Sequence, residues 1–216
     1  QGTREWAFGD ITTWLLDERD ASQLFWLMGG GGTGKSVLTA ELLYRLFHLV
    51  VAWHFCRHDD AEQSKPCALL RSLACMLGAR LPGYAAALGD DDVPAAILES
   101  ADPKEVFDAL FAAPLRALEP PAKPRLLIID ALDEIPKEAQ PPLLGMIASQ
   151  LSKLPGWLRL FVTSREEPQI KQALSKFKPK ELRADEVKNR DDVEVFLRKI
   201  AAEYVKGDVN MADIEA

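Results

Sequence analysis

Eight consecutive residues near the start of the chain have the types and order needed to bind a chain of phosphates. They are Gly29, Gly30, Gly31, Gly32, Thr33, Gly34, Lys35 and Ser36, which fit the pattern G-x-x-x-x-G-K-[ST]. Glycines let the backbone curl so that several N–H groups point at one anion. Lys35 could reach the β- and γ-phosphates, and the Ser36 hydroxyl could bind Mg²⁺. The pattern therefore predicts a phosphate-binding loop, with Val37 as a further ligand contact.

The segments on either side of this loop provide the structural context that the pattern requires. The apolar run 24–28 predicts a buried strand, and the run 37–47 predicts a helix with an apolar face. The N-terminus of that helix would add free N–H groups and partial positive charge. A flexible glycine turn followed by an incidental Lys-Ser would not need such flanks, so we favour the phosphate-binding interpretation.

A second group of candidate residues follows the apolar strand 125–129. Asp130 comes directly after it, and Asp133 and Glu134 lie just beyond. In open α/β sheets, ligands bind outside the carboxyl ends of the strands. Asp130 is predicted to hold Mg²⁺, directly or through water, while Asp133 or Glu134 would orient or deprotonate an attacking water. The alternative is a solvated acidic turn, which the phosphate-binding loop earlier in the chain makes the weaker interpretation.

Two arginines also follow predicted strands. Arg165 comes after the strand 157–162 and could contact a γ-phosphate and stabilise charge during its transfer. Arg57 comes after the strand 50–55 and could be a further phosphate contact. A surface position is the alternative for both residues, and for Arg57 it is the favoured one.

Elements of two kinds must position these side chains. The predicted strands are 24–28, 50–55, 125–129, 157–162 and 181–182. The predicted helices are 37–47, 66–79, 102–118, 136–151, 167–175 and 189–205, with short helices within 81–100. The opening segment 3–16 is predicted as a helix or a pair of turns. Strands that alternate with helices predict an α/β fold of three layers, namely a mostly parallel five-stranded sheet with helices on both faces.

Composition narrows the class of protein. The chain has 216 residues and a net charge of −7, which argues against specific nucleic-acid binding. It has no apolar stretch of membrane-spanning length and no signal-peptide pattern. Its three cysteines form no paired framework, so we expect a reducing, cytoplasmic setting. A zinc site from His54, Cys56, His58 and Cys67 is a further possibility, although their spacing matches no common zinc motif.

Taken together, these motifs resemble those of the NACHT-type NTPases, within the signal-transduction ATPases with numerous domains (STAND). The resemblance rests on three segments. They are Phe25 to Gly29, which lead into the phosphate-binding loop (P-loop), the acidic segment 130–134, which corresponds to the Walker B motif, and the segment 161–165. The segment 53–60 and the opening residues 2–5 are also similar to that group. The match covers about residues 2–205.

The resemblance implies the three-layer P-loop NTPase fold, with the strand that leads to Arg165 lying between the P-loop strand and the Asp130 strand. It also implies an ATP/ADP switch within a larger NLR-like signalling protein, of the kind found in innate immunity, with protein partners or self-oligomerisation through flanking domains. Arg4 would lie near the adenine. We expect a helical lead-in at 1–20, the NTPase core at 21–205 and, at 206–216, the start of a downstream module that this fragment lacks.

Two functions remain open at this stage. One is an ATPase that hydrolyses ATP slowly; the other is a module that holds nucleotide for protein assembly with little or no turnover. Both need the same motifs, so the sequence does not separate them. A GTPase is disfavoured because the nearest string to its guanine-reading motif, at 189–192, does not fit. An ABC-type ATPase, a small-molecule kinase and an AAA+ ring lack their own identifying features.

Overall fold

The structure is a computed structural model that describes residues 5–17, 22–59, 65–89 and 95–184. Arg4, the predicted helix 189–205 and the segment 206–216 lie outside the described residues. The strands are β1 (Leu24–Met28), β2 (Val50–Phe55), β3 (Arg125–Asp130), β4 (Leu158–Ser164) and β5 (Lys180–Arg183). The helices are α1 (Glu5–Leu16), α2 (Lys35–Arg45), α3 (Pro66–Arg80), α4 (Tyr84–Leu88), α5 (Ala95–Glu99), α6 (Pro103–Phe107), α7 (Ala113–Ala117), α8 (Gln140–Gln150) and α9 (Pro168–Ser175).

The five described strands form one parallel sheet in the order β2-β3-β4-β1-β5. Strand β4 lies between β1 and β3, with Trp26 opposite Val162 and Phe161 opposite Ile128. The predicted α/β class and the strand order implied by the resemblance are both confirmed. Because the strands are parallel, their carboxyl ends share one edge of the sheet.

Both faces of the sheet are covered by helices, which gives the three predicted layers. Strand β1 illustrates why, because successive side chains of a strand point to opposite faces. Trp26 and Met28 join a cluster with residues of α3, α8 and α9, whereas Phe25 and Leu27 join a second cluster with residues of α1 and α2. A strand buried on both faces therefore reads as one continuous apolar run.

Helix α1 is fixed to the sheet at its C-terminal end and to α2 at its start. The buried Arg159 guanidinium donates to the carbonyl of Trp14 and, at 2.6 Å, to that of Asp17. Arg45 of α2 makes a bidentate contact of 2.8 Å per bond with Glu5. The division of the chain at residues 20 and 205 is not tested by these contacts and stays a prediction.

The predicted helix 102–118 is confirmed, because the backbone is helical from Pro103 to Ala117, although one turn within it is irregular. Its start is as predicted, since the Asp102 carboxylate accepts the N–H of Lys104 at 2.8 Å. A π-helical turn, Asp108–Ala112, then separates α6 from α7. Pro114 has no N–H for the carbonyl of Leu110, and the hydroxyl of Tyr84 donates to that carbonyl instead.

The predicted helix 136–151 begins later than expected, at Gln140. Pro141 and Pro142 explain the shift, because proline fits the first turn of a helix but would interrupt a helix already under way. Residues 137–139 form a turn instead. Just before this turn, a short 3₁₀ helix, Leu132–Glu134, carries two of the candidate carboxylates. Among the described residues, no helix has the length and apolar character that a membrane span needs.

Candidate functional site

The glycine loop leaves the end of β1 and leads directly into α2. Gly32 and Gly34 have φ angles of 72° and 76°, in the left-handed region that favours glycine. Gly34 is also the residue that precedes the first turn of α2. A Cβ atom at Gly29 would lie only 2.8 Å from Thr33 Oγ1. These glycines therefore have conformational and steric reasons to be glycine at this turn.

The Lys35 side chain folds back over this loop. Its ammonium donates to the carbonyl oxygens of Gly29 and Gly30 at 2.8 and 3.0 Å. The Thr33 hydroxyl donates to the Gly30 carbonyl at 2.9 Å. A flexible, charged side chain thus lies at the opening of the turn. Ser36 is exposed, as is Val37, at 73%.

Asp130 ends β3 and is almost fully buried, at 1% exposure. Its Oδ1 atom accepts hydrogen bonds from Thr39 Oγ1 and Thr163 Oγ1, both at 2.6 Å. The Thr163 oxygen in turn accepts the backbone N–H of Ala131 at 2.9 Å. Sequence reasoning missed both threonines. The only sequence features that could have indicated them were a hydroxyl on the otherwise apolar face of α2, at Thr39, and another near the end of β4, at Thr163.

The chain turns sharply after Asp130, and this turn separates the two remaining carboxylates. Ala131 has a φ of 55°, unusual for a residue with a side chain. The side chain of Asp133 is nearly buried, at 5% exposure. Glu134 is exposed, and within the described part of the chain its carboxylate has no hydrogen bond or ion pair. The structure therefore places these neighbouring acids in different environments. The sequence alone did not distinguish between them.

Arg165 lies between Asp133 and the glycine loop. Its Nε is 3.1 Å from Asp133 Oδ2, and its backbone N–H donates to Oδ1 at 3.0 Å. A Cβ atom at Gly31 would be 3.7 Å from Arg165 Nη2. The Trp26 indole donates to Ser164 Oγ, and that hydroxyl donates to the Arg165 carbonyl, each at 2.8 Å. The Arg165 backbone is therefore hydrogen-bonded at both its N–H and its carbonyl, while the side chain remains 56% exposed.

Other sequence candidates do not join this group. The exposed Arg57 pairs with Asp59, with bonds of 3.0 and 2.7 Å. In the described parts of the chain, no three His, Cys, Asp or Glu side chains cluster in a way that could hold a metal ion, so the zinc idea gains no support. Burial raises the pKa of the Cys56 thiol, and the nearby carboxylates, Asp130 first, raise it further.

The residues proposed for Mg²⁺ suit that ion chemically. Mg²⁺ prefers carboxylate, hydroxyl, phosphate and water oxygens. Both hydroxyl bonds to Asp130 go to Oδ1, and no described residue hydrogen-bonds Oδ2. Ser36 and Thr39 are three residues apart on α2 and so lie on the same side of that helix. A carboxylate oxygen and a serine hydroxyl are thus present beside the glycine loop.

A family model described as "Nephrocystin 3, N-terminal" matches residues 2–165, a span that includes the loop, the acidic turn and Arg165. The chain belongs to this nephrocystin 3 N-terminal family. The resemblance to NACHT-type NTPases of the STAND class is thereby confirmed, and the nephrocystin-type chain is a P-loop nucleotide-binding domain.

No curated protein matches the nephrocystin-type chain. Among solved structures, Cdc6p from Pyrobaculum aerophilum is similar, with 14% sequence identity and a TM-score of 0.47. That similarity covers 83% of this chain but only 44% of the Cdc6p chain.

Proposed function

We propose that this chain binds ATP and ADP and hydrolyses ATP slowly, acting as the nucleotide switch of a larger signalling protein. One observation carries the proposal. The parallel sheet brings the glycine loop after β1, Asp130 at the end of β3, and Arg165 at the end of β4 to a single edge. Those are the groups that phosphoryl transfer requires: a phosphate cradle, an acidic metal ligand and a cation.

Each part of the site has a role in this proposal. The backbone of residues 29–36 and the ammonium of Lys35 bind the phosphates, and Val37 contacts the nucleotide. The Lys35 bonds to the Gly29 and Gly30 carbonyls would be exchanged for bonds to the β- and γ-phosphates. Ser36 and Asp130 would hold Mg²⁺, whose charge offsets that of the phosphates when it is bound. Arg4, outside the described residues, stays a proposed base contact.

The two acids after β3 divide the remaining work. Glu134 is exposed and has no ion-pair partner among the described residues, so it is free to take a proton from an attacking water. The Asp133 carboxylate already binds Arg165. We therefore assign water activation to Glu134 and the placement of Arg165 to Asp133. Arg165 would stabilise the charge that develops on the γ-phosphate.

The wider biological setting is part of the same proposal. The family match supports a STAND-type switch. We further propose an NTPase core at 21–205 between a lead-in at 1–20 and a downstream module from 206. The output would be signalling through protein partners or self-oligomerisation, as in NLR-like proteins, in the cytoplasm. The alternative function is a nucleotide-holding module with little turnover. It uses the same binding residues, but in it Glu134 does not activate water for hydrolysis.

Nucleotide-dependent thermal unfolding tests the binding half of this proposal. We expect ADP or ATP with Mg²⁺, but not GTP, to raise the melting temperature; a ligand at one hundred times its Kd adds about 2.7 kcal/mol of stability. Lys35→Ala should abolish the shift. Lys171→Ala, which removes an exposed lysine of α9 that pairs with Glu166, is the matched control.

Three results would change the proposal. A GTP preference would overturn the assignment of adenine nucleotides. The absence of any shift in the unaltered protein would contradict nucleotide binding by this chain. ADP that survives purification, together with no phosphate release from ATP, would support the nucleotide-holding module instead of the ATPase.

A further inference from the structure

The hydroxyl of Thr39 contacts the carboxylate of Asp130 in the interior of the protein. We propose that Thr39 is a positioning residue that orients Asp130 for Mg²⁺, an inference that rests on the proposed function. Thr39 is fully buried on α2, whereas Asp130 ends β3. Their hydrogen bond, 2.6 Å long, therefore joins the helix that follows the glycine loop to the strand that carries the acid.

A count of protons supports donation from Thr39 to Asp130. Thr39 Oγ1 lies 3.0 Å from the Lys35 carbonyl and 2.6 Å from Asp130 Oδ1. A hydroxyl has one proton, so it can donate fully to only one of these acceptors. The bond to an ionised carboxylate is the shorter and stronger of the two. We therefore take Asp130 as the main acceptor of the Thr39 proton, and the Lys35 carbonyl, four residues back in the helix, as the weaker one.

Thr163 completes the arrangement from the opposite side. Its oxygen accepts the Ala131 N–H, which leaves its single proton to be donated to Asp130 Oδ1. Two hydroxyl donors on Oδ1 restrain rotation of the carboxylate and leave Oδ2 without a donor among the described residues. Groups that hold a metal ligand in place in this way commonly contribute a factor of about 10 to 100 to metal affinity.

The position of Thr39 on α2 gives the bond a second consequence. Lys35, Ser36 and Thr39 all lie within the first two turns of this helix. The contact with Asp130 therefore fixes the distance between the helix that carries the phosphate ligands and the strand that carries the metal ligand. Loss of the hydroxyl should weaken the effect of Mg²⁺ while leaving the glycine loop intact.

Two pairs of isosteric side chains at position 39 test this inference. Thr and Val have nearly the same shape and differ in the hydroxyl, as do Ser and Ala. The full chain carrying Thr39→Val, Thr39→Ser or Thr39→Ala would be titrated with ADP by calorimetry, once in EDTA and again over a range of Mg²⁺ concentrations. Thr13→Val, at an exposed position of α1, controls for loss of a helical hydroxyl elsewhere.

We expect the Val and Ala variants to need at least about tenfold more Mg²⁺ for half of its effect on ADP affinity. The Ser variant and Thr13→Val should behave as the unaltered protein does, and ADP affinity in EDTA should be the same in all. If Thr39→Val does not fold, the comparison of the Mg²⁺ requirements of Thr39→Ser and Thr39→Ala tests the inference by itself.

Other outcomes would overturn the inference. Equal Mg²⁺ requirements within each pair would show that the hydroxyl does not position Asp130. A loss of ADP affinity already present in EDTA would assign Thr39 to the shape of the glycine loop. If the unaltered protein binds no ADP under any condition, the proposed function itself fails and the positioning role falls with it.

Discussion

Asp133 holds Arg165 at two points: one carboxylate oxygen accepts the backbone N–H at 3.0 Å and the other lies 3.1 Å from Nε. The acid is nearly buried while the arginine is about half exposed and lies beside Gly31 of the glycine loop. A guanidinium has five N–H donors in a fixed fork. Arg165 can therefore keep its contact with Asp133 through Nε and direct its terminal nitrogens at an anion in the loop.

This arrangement predicts that Arg165 distinguishes ATP from ADP. Arg165→Ala should lower ATP affinity by about ten- to a hundredfold and leave ADP affinity nearly unchanged, because a hydrogen bond to a charged group contributes about 1.5 to 3 kcal/mol. Calorimetric titration with both nucleotides, using a non-hydrolysable ATP analogue, measures the two affinities. Arg57→Ala is the matched control, since Arg57 is also exposed at a strand end but pairs with Asp59. An equal loss for ATP and ADP would contradict a γ-phosphate contact.

The different environments of Asp133 and Glu134 predict different defects. Glu134→Gln should lower phosphate release by at least about a hundredfold while ADP still binds, because a general base typically contributes a factor of 10² to 10⁴. Asp133→Asn should instead lower the free energy of unfolding by about 1 kcal/mol, because the charge that binds Arg165 is lost. Phosphate-release assays and urea unfolding separate the two effects. Normal turnover in Glu134→Gln would exclude Glu134 as the base, and Asp133 would be tested next.

The left-handed backbone at Ala131 predicts an unusual tolerance of glycine. A residue with a side chain destabilises the folded state by about 1 to 2 kcal/mol when it adopts this conformation. Glycine avoids that penalty but lowers the free energy of unfolding by about 0.5 to 1 kcal/mol relative to alanine, because it has more conformational entropy in the unfolded chain. Ala131→Gly should therefore leave the free energy of unfolding unchanged or raise it slightly. Ala131→Val should lower it, because a branched side chain fits this conformation worst. Urea unfolding of both variants measures the difference, and a strongly destabilised glycine variant would be inconsistent with the φ of 55°.

The three cysteines should react at very different rates. Cys75 is exposed, whereas Cys56 and Cys67 are buried, and burial raises the pKa of both buried thiols. Because the thiolate is the reactive form, alkylation at pH 8 should label Cys75 first and the other two only on unfolding. Mass spectrometry over time reports the order of labelling, and Cys75→Ser should remove the fast phase. Labelling of Cys56 as fast as Cys75 would contradict its buried position.

Prediction from sequence succeeded where local chemistry decides the structure. The strand 24–28 was predicted with the bounds that it has in the structure, because five apolar residues before a glycine loop fit a strand buried on both faces. It failed where two local preferences compete. Pro141 and Pro142 moved the start of α8. Pro114 accompanies a π-helical turn inside the helix predicted at 102–118, a detail that the sequence pattern did not indicate. Both differences lie beside prolines, whose missing N–H changes which carbonyls are bonded.

By itself the sequence determined the glycine loop, the acid after β3, the arginine after β4 and the alternation of strands with helices, since each depends on residues close together in the chain. Only the tertiary structure decided that Thr39 and Thr163 hold one oxygen of Asp130 and that Asp133, not Glu134, holds Arg165. These contacts join residues 91, 33 and 32 positions apart. Their geometry depends on strand order and on one left-handed turn, and no local pattern of residue types encodes such distances.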